Sequence, residues 1–227
     1  MATYLKLVQK AVRKSGASVD VPTTIVGATG ITEMFVEWVQ DAWKDIQLEH
    51  MGWNWRVVRD DTLAITAGTD EYAMPADLES FDNRTLSIYI DPADESPLHF
   101  VNYHVWRNTM DKQSPATPAR PQRFTITPDD KIAIFPPPDV GYTLRMDGFR
   151  VLQLLDVENN NDIPAYLRPE YHDGIMWRAV MYYAQHFEDG AKLQEAQAHF
   201  KPYKKYYEER ELEDITLDTT SMYSRGH

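Results

Sequence analysis

The spacing of apolar residues changes twice along this 227-residue chain, and those changes limit the folds open to it. Near the N-terminus apolar residues recur every three or four positions, the spacing of amphipathic helices. Between residues 53 and 156 they alternate with polar residues, the two-residue period of a strand with one buried face. The helical spacing returns after residue 162. The sequence therefore predicts an α+β protein, a helical bundle interrupted by a β-rich insert.

Two amphipathic helices are predicted before the insert. The first covers residues 3–14 and ends at Gly16. The second carries an apolar stripe from Ile31 to Ile46, with charged residues on the opposite face. A polar stretch rich in Pro, Thr and Gly separates them. Both helices should therefore pack against a common core.

The insert consists of short alternating segments separated by Asp, Asn, Gly and Pro. Such punctuation favours an antiparallel sheet over strand–helix–strand units. A short helix near residues 105–110 and a proline-rich loop at 111–121 interrupt the strands. The predicted strands are residues 84–90, 124–127, 131–135 and 142–146.

The helix predicted at residues 170–188 is apolar on nearly every side. Such a helix needs cover from several directions, so we expect it to pack both in its own core and against neighbouring copies. The candidate subunit-interface residues are Trp177, Val180, Met181 and Phe187. Another helix should start at Ala191 and kink at Pro202.

These elements define the expected organisation of the chain. Residues 1–52 and 162–211 should form the helical bundle, and residues 53–161 the β-rich insert. Residues 212–227 have no periodic apolar stripe and are expected to form an extended C-terminal arm without its own fold. Four spaced apolar residues in this arm are candidate docking anchors: Ile215, Leu217, Met222 and Tyr223.

Composition excludes several kinds of chemistry. The chain has no cysteine, which rules out disulfides, thiolate metal sites and cysteine nucleophiles. A net charge of −12 disfavours sequence-specific binding to DNA or RNA. An acidic surface favours solubility, and it would also suit a passage through which nucleic acid moves without sticking.

The first ten residues do not have the pattern of a signal peptide, and no apolar run is long enough for a membrane span. We expect a soluble protein made in the cytoplasm.

No pattern in the chain predicts catalysis, a cofactor or a metal. The glycines at 27 and 30 lack the rest of a phosphate-binding fingerprint and are better explained by a helix-capping turn. The seven histidines show no ligand spacing. The basic aromatic segment 201–207 could stack nucleic-acid bases, but glutamates follow it directly, which favours tyrosines in the core and lysines at the rim. The protein is therefore predicted not to be an enzyme.

The order of segments in the second half resembles the head-to-tail adaptor (connector) proteins of tailed bacteriophages. The resemblance is carried by a strand ending in a proline-rich turn (residues 131–138), an extended strand (142–150) and a loop that opens the main helix (162–173, Asp-Ile-Pro-Ala-Tyr-Leu-Arg-Pro-Glu-Tyr-His-Asp). Residues 71–75 and 118–124 fit the same order. These are structural rather than catalytic signatures.

The resemblance implies a structural virion protein in the phage neck. Such adaptors form rings, commonly dodecamers, that dock under the portal protein and extend the DNA channel towards the tail, and DNA passes through without specific binding. The expected partners are other copies of the chain, the portal protein and a tail or nozzle protein, with no membrane. In several relatives a C-terminal arm reaches the portal, which is the role expected for residues 212–227.

A second expected contact is an extended hairpin over residues 123–149. Its proline-rich turn should form a rigid exposed tip that faces the tail, because proline stiffens the chain and cannot donate to a strand ladder. The candidate tail-facing residues are Pro136, Pro137, Pro138 and Asp139. Two alternatives stay open: another neck or tail component, such as a tail-completion or tail-tube protein, and a small-ligand-binding oligomer.

Overall fold

The structure is a computed structural model that describes residues 2–50, 52–113 and 116–212. Helices make up 42% and strands 20% of it, which confirms the predicted α+β class. The described elements are, in chain order, α1 (Tyr4–Ser15), α2 (Ile31–Glu49), β1 (Val57–Ile65), β2 (Glu71–Ala73), β3 (Leu78–Phe81), β4 (Ser87–Tyr89), β5 (Ser96–Pro97), β6 (His99–Phe100), α3 (Tyr103–Thr109), β7 (Arg123–Ile126), β8 (Lys131–Phe135), β9 (Tyr142–Arg150), α4 (His172–His186) and α5 (Gly190–Glu211).

The chain divides into two compact units. The helical unit comprises Met1–Arg56 and Leu152–His227, and the β-rich unit comprises Val57–Val151. Compared with the boundaries expected from the sequence, residues 53–56 and 152–161 belong to the helical unit. Residues 53–56 belong to the helical unit because the ring of Trp53 is fully buried among the helices. Its Nε1 donates to the carbonyl of Ile46 in α2 at 2.8 Å.

Helix α4 is the centre of the helical unit, where it contacts α1, α2 and α5. Helix α1 starts at the N-cap Thr3 and ends at Gly16, whose φ of +76° is the left-handed conformation that glycine adopts freely. Its buried side chains, among them Leu7, Val8 and Val12, lie on one side of the helix. Tyr4, also fully buried, donates its hydroxyl to the carbonyl of Val36 in α2, at 2.8 Å.

Residues 152–163 return the chain to the helical unit and are fixed there by hydrogen bonds that involve both backbone and side-chain groups. The side-chain amide of Gln47 donates to the carbonyl of Gln153 and accepts from its N–H, both at 2.9 Å. Further along, the backbone N–H of Ile25 donates to the Asn160 side chain at 2.7 Å. The N–H of Tyr4 donates to the carbonyl of Asp162, also at 2.7 Å. These contacts explain why this irregular segment belongs to the helical unit rather than to the insert.

The β-rich unit contains two sheets. In the first the strand order is β1-β9-β4-β5, and β3 also pairs with β9. The long strands β1 and β9 are antiparallel, with Val57 opposite Phe149 and Ile65 opposite Tyr142. The second sheet has the order β2-β8-β7-β6. Its β6–β7 pair is parallel, so the insert is not wholly antiparallel as the sequence predicts.

Alternating residues of β8 explain how the second sheet is covered. Ile132 and Ile134 join a core shared with Leu144 and Met146 of the first sheet. Ala133, between them in sequence, packs with Trp106 and Met110 at the other face. The two-residue period of β8 therefore places one apolar set against the first sheet and the other against α3 and the residue that follows it.

The predicted extended hairpin over residues 123–149 does not form. Strands β7 and β8 make a short hairpin in the second sheet, but β8 does not continue into a pairing with β9. Strand β9 instead pairs with β1, β3 and β4 in the first sheet. The proline-rich segment between β8 and β9 is thus a corner that takes the chain from one sheet to the other. The alternation of residues within β8 and β9 could not predict which strands β9 pairs with, because its partner β1 lies about eighty residues earlier in the chain.

Gly174 in α4 allows the tyrosines of α5 to pack close to the α4 backbone. A Cβ at this position would lie 2.9 Å from the Cβ of Tyr203 and 3.0 Å from the Tyr207 ring in α5. Tyr207 cannot move away easily, because it is fully buried and its hydroxyl donates to the carbonyl of Tyr171 at 2.8 Å. The α4–α5 contact therefore requires glycine at residue 174.

We predict that Gly174→Ala destabilises the protein by about 1–3 kcal/mol, because overpacking outweighs the gain of about 0.5–1 kcal/mol that alanine normally brings to a helix. Denaturant unfolding followed by circular dichroism would measure the change. Gly190→Ala is the matched control, because a Cβ there meets no atom within 4 Å. A Gly174→Ala variant as stable as the wild type would contradict the predicted clash.

Candidate assembly surfaces

The four predicted interface residues of α4 do not share one exposed surface. Val180 is fully buried and Trp177 is only 6% exposed, Met181 is half-buried, and Phe187 is 46% exposed. Trp177 stacks on the imidazole of His199 in α5, with ring centroids 4.3 Å apart. The apolar character of Trp177 and Val180 is thus accounted for by the core of a single copy. Of the four, Phe187 exposes the most surface for another molecule.

Phe187 belongs to a cluster of aromatic rings between α2 and the end of α4. The ring of Tyr183 lies 4.9 Å from that of Phe187 and stacks on Phe35 at 5.4 Å. Trp38, half-buried, contacts Tyr183 at 6.1 Å and His186 at 5.6 Å. The sequence did not connect these residues, because about 145 positions separate Trp38 from Tyr183. The cluster extends from the core to the surface, where it exposes apolar area.

A polar network lies beside this aromatic cluster. The hydroxyl of Tyr182 donates to the carboxylate of Asp45 in α2, and Arg178 Nε donates to the Tyr182 hydroxyl at 3.2 Å. The same guanidinium lies 3.8 Å from the carboxylates of Asp45 and Glu49. Burial, together with the hydrogen bond to Asp45, raises the pKa of Tyr182 to about 12. The network therefore stabilises the neutral phenol and joins α2 to α4.

The predicted tail-facing residues lie at the corner between β8 and β9. The carbonyl of Pro137 accepts from the N–H of Ala119 at 2.9 Å, and that of Pro138 accepts from Gly68 at 2.8 Å. Pro138 is buried, whereas Asp139 is exposed and accepts from the Tyr142 hydroxyl at 2.7 Å. Pro137 and Pro138 are therefore held within the β-rich unit, Pro136 is half-buried, and the three prolines do not form a projecting tip. Asp139 and the residue after it, Val140, are the exposed part of the corner.

Other patterns considered in the sequence have structural roles. His172 is fully buried, with its two ring nitrogens near the carbonyls of Ala2 and Leu167 at 3.2 and 2.9 Å. In the segment 201–207, Tyr207 is buried and Lys205 pairs with Glu209 at the surface, 3.4 Å away. Within residues 2–50, 52–113 and 116–212, no group of three or more His, Asp or Glu side chains could hold a metal ion. In the same ranges no helix is long and apolar enough to cross a membrane.

The comparison with protein families decides the identity of the chain. The model of the SU10 adaptor protein family, a phage head-to-tail adaptor family, matches residues 2–226. The chain belongs to this adaptor family. No curated protein matches it. The match spans both compact units and confirms the resemblance drawn from the loops and strands of the second half.

Membership in this family makes the protein a structural bacteriophage adaptor and a virion component. An adaptor interacts with other head and tail components of the phage. Such a family is not typically enzymatic. Because an adaptor acts through contacts with other components, its functional residues are expected on exposed surfaces.

The predicted portal-docking residues of the adaptor, Ile215, Leu217, Met222 and Tyr223, lie outside the described residues. The last described residue is Leu212, which follows α5 and packs against the helical core. The docking role of residues 212–227 stays a prediction from the sequence.

We predict that Tyr182→Phe costs the adaptor about 1 kcal/mol at pH 7, because Asp45 loses a hydrogen-bond donor. The variant should also lose less stability than the wild type when the pH rises. A folded-state pKa of about 12, above the unfolded value of about 10, contributes stability that is present below pH 10 and disappears as the pH rises through 12.

Urea unfolding at pH 7, 9.5 and 11 would test both effects. Tyr103→Phe in α3 is the control, because the half-buried Tyr103 makes no hydroxyl hydrogen bond in the described part of the chain. Identical pH dependence of the two variants would show that Tyr182 does not contribute to the alkaline loss of stability.

Proposed function

We propose that the adaptor assembles into a ring in the neck of the virion, between the portal protein and the tail, and extends the channel through which DNA passes. The observation that carries this proposal is the family match over residues 2–226, which includes both the helical and the β-rich unit. The ring is proposed to be a dodecamer, made in the host cytoplasm and incorporated into the virion.

The charge of the chain supports a role in DNA passage. A net charge of −12 repels the phosphate backbone, so DNA would move along a wall built from this protein without being held. Specific recognition of bases would require cations directed at the groove edges. We therefore propose that the adaptor guides DNA without binding a particular sequence.

The proposed contacts differ between the two ends of the ring. Residues 212–227 are proposed to dock on the portal through Ile215, Leu217, Met222 and Tyr223. The exposed part of the β8–β9 corner is proposed to meet the next tail component. Phe187, with the aromatic cluster beneath it, is the part of α4 proposed to contact a neighbouring copy.

The ring and its docking on the portal can be tested with the portal protein of the same phage. We expect closed rings with a central opening in negative-stain images, and a complex with the portal that is stable in gel filtration. Truncation after Leu212, which keeps the last residue that packs on the helical core, should leave the melting temperature unchanged but weaken portal binding at least tenfold, about 1.4 kcal/mol. Unchanged affinity would place the portal contact in the described body of the protein.

The same experiment separates the alternatives. Rings that bind tail proteins but not the portal would indicate a tail-completion or tail-tube component. An oligomer that binds neither would favour the small-ligand-binding alternative and would contradict the adaptor position.

The tail-facing corner can be tested with a single substitution. We predict that Val140→Lys weakens attachment of the next tail component at least tenfold, because a charge replaces an exposed apolar side chain at the contact. Portal binding should stay within twofold of the wild type. Val105→Lys in α3 is the matched control, because Val105 is also exposed, at 53%. Equal tail attachment by both variants would remove the corner from the proposed contact.

A further inference from the structure

Two helices of the helical unit carry opposite charges on their exposed faces. Helix α1 contains four cations, Lys6, Lys10, Arg13 and Lys14, and no carboxylate. Helix α2 contains five carboxylates and a single cation, Lys44. Both helices pack on α4 with their apolar sides, so the charged sides face away from the core. One copy of the chain therefore presents a basic helix face and an acidic helix face.

The acidic face of α2 is a regular ridge. Glu33, Glu37, Asp41 and Asp45 repeat every four residues, which aligns them about 6 Å apart along one side of the helix. Like charges at this spacing repel each other and destabilise an isolated helix. No ion pair in the described residues involves Glu33, Glu37 or Asp41. The ridge is therefore an unfavourable local arrangement that an external cation would relieve.

Open grooves on the two sides of this ridge suit the side chains of lysine and arginine. One groove, of about 300 Å³, has Ile25, Val36 and Val157 in its wall and the carboxylates of Glu33, Glu37 and Glu158 around it. The other, of about 380 Å³, is lined by Trp38, Tyr182 and Gln185 with Asp41 and Asp45. Lysine and arginine combine an aliphatic stem with a cationic end, so they can place the stem on an apolar wall and the charge beside a carboxylate.

The basic face of α1 has matching groups. Lys6, Lys10 and Lys14 repeat every four residues, as the carboxylates of α2 do. Lys10 already pairs with Asp173 at 2.5 Å, and Lys14 lies 5.8 Å from the Trp177 ring. Lys6 and Arg13, both exposed, form no ion pair in the described part of the chain. These two cations are available to another molecule.

We propose that the basic face of α1 in one copy packs on the acidic face of α2 in the next copy, with Lys6 and Arg13 directed to the grooves beside Glu37 and Asp41. A closed ring requires a head-to-tail contact between two different surfaces of each subunit, and these two faces are different and complementary. The half-buried Trp38 and the exposed Phe187 add apolar area beside the ridge. The inference rests on the proposed ring and specifies the surfaces that close it.

Reversing the charges of either face tests the contact. Lys6→Glu with Arg13→Glu places two carboxylates opposite the acidic face of α2, and Glu37→Lys with Asp41→Lys places two cations opposite the basic face of α1. We expect each double variant to keep the circular dichroism spectrum of the wild type. Each should raise the dissociation constant for self-association at least tenfold by sedimentation velocity at low salt. Lys201→Glu with Lys205→Glu in α5 is the matched control, because it reverses two exposed cations elsewhere and should leave assembly unchanged.

Two rescue experiments make the result specific. A chain with all four substitutions exchanges the signs of the charges at the four proposed contact positions, so opposite charges face each other again and it should form rings. An equimolar mixture of the two double variants should also form rings, because in alternating copies the contact positions of each α1 meet opposite charges on the α2 of the other variant. A reversal defect that neither combination repairs would overturn the proposed pairing.

The outcomes distinguish this inference from the proposed function. Rings formed equally well by both double variants would overturn the α1–α2 contact and leave the ring in place. A wild type that stays monomeric at every concentration and on the portal would overturn both. Loss of binding to a fluorescent DNA duplex in the Lys6/Arg13 variant, with assembly unchanged, would assign the basic face to DNA and overturn the pairing of copies.

Discussion

The packing of α5 against α4 at Gly174 supports much of the helical unit. The missing Cβ brings Tyr203 and Tyr207 close to the α4 backbone, and the Tyr207 hydroxyl binds the carbonyl of Tyr171 just before α4 begins. Burial raises the pKa of Tyr207, so the phenol stays neutral in the core. Helix α4 contacts α5 on one side and α1 and α2 on the others. Because α1 and α2 turn their apolar sides towards α4, their charged sides are the ones exposed.

Tyr4 connects three parts of this unit through two hydrogen bonds. Its N–H donates to Asp162 in the returning segment, and its hydroxyl donates to Val36 in α2. The pKa of Tyr4 is raised by burial and further by the nearby carboxylates of Asp41, Asp162 and Glu37. Two of those carboxylates belong to the acidic ridge of α2. Tyr4, which joins α1 to α2, therefore experiences the negative electrostatic potential of the surface proposed to bind the next copy.

The helices and several strands could be predicted because their signals are local. The apolar stripe of α2 and the alternation in β8 each depend on residues within one element. In the structure most of the α2 stripe is buried, and successive residues of β8 pack alternately in two different clusters. The interface residues in α4 could not be separated in this way. In a sequence, an apolar side chain that faces its own core cannot be distinguished from one that faces another copy. Only the packing of α5 and α1 shows that Trp177 and Val180 face inward. Likewise, the prolines at 136–138 indicated a turn, but the pairing of β9 with β1 decided that the turn is a corner between two sheets.

The sequence by itself determined the α+β class, the order of the helices and the β-rich insert, the absence of cysteine chemistry and the resemblance to phage adaptors, because each depends on composition, local periodicity or the order of segments. It also contained the charges of α1 and α2. Only the tertiary structure decided which of those charges stay exposed, which aromatic rings meet across α2 and α4, and where the two units divide. These features depend on contacts between residues far apart in the chain, and such contacts are selected by the packing of whole elements rather than by the pattern within any one of them.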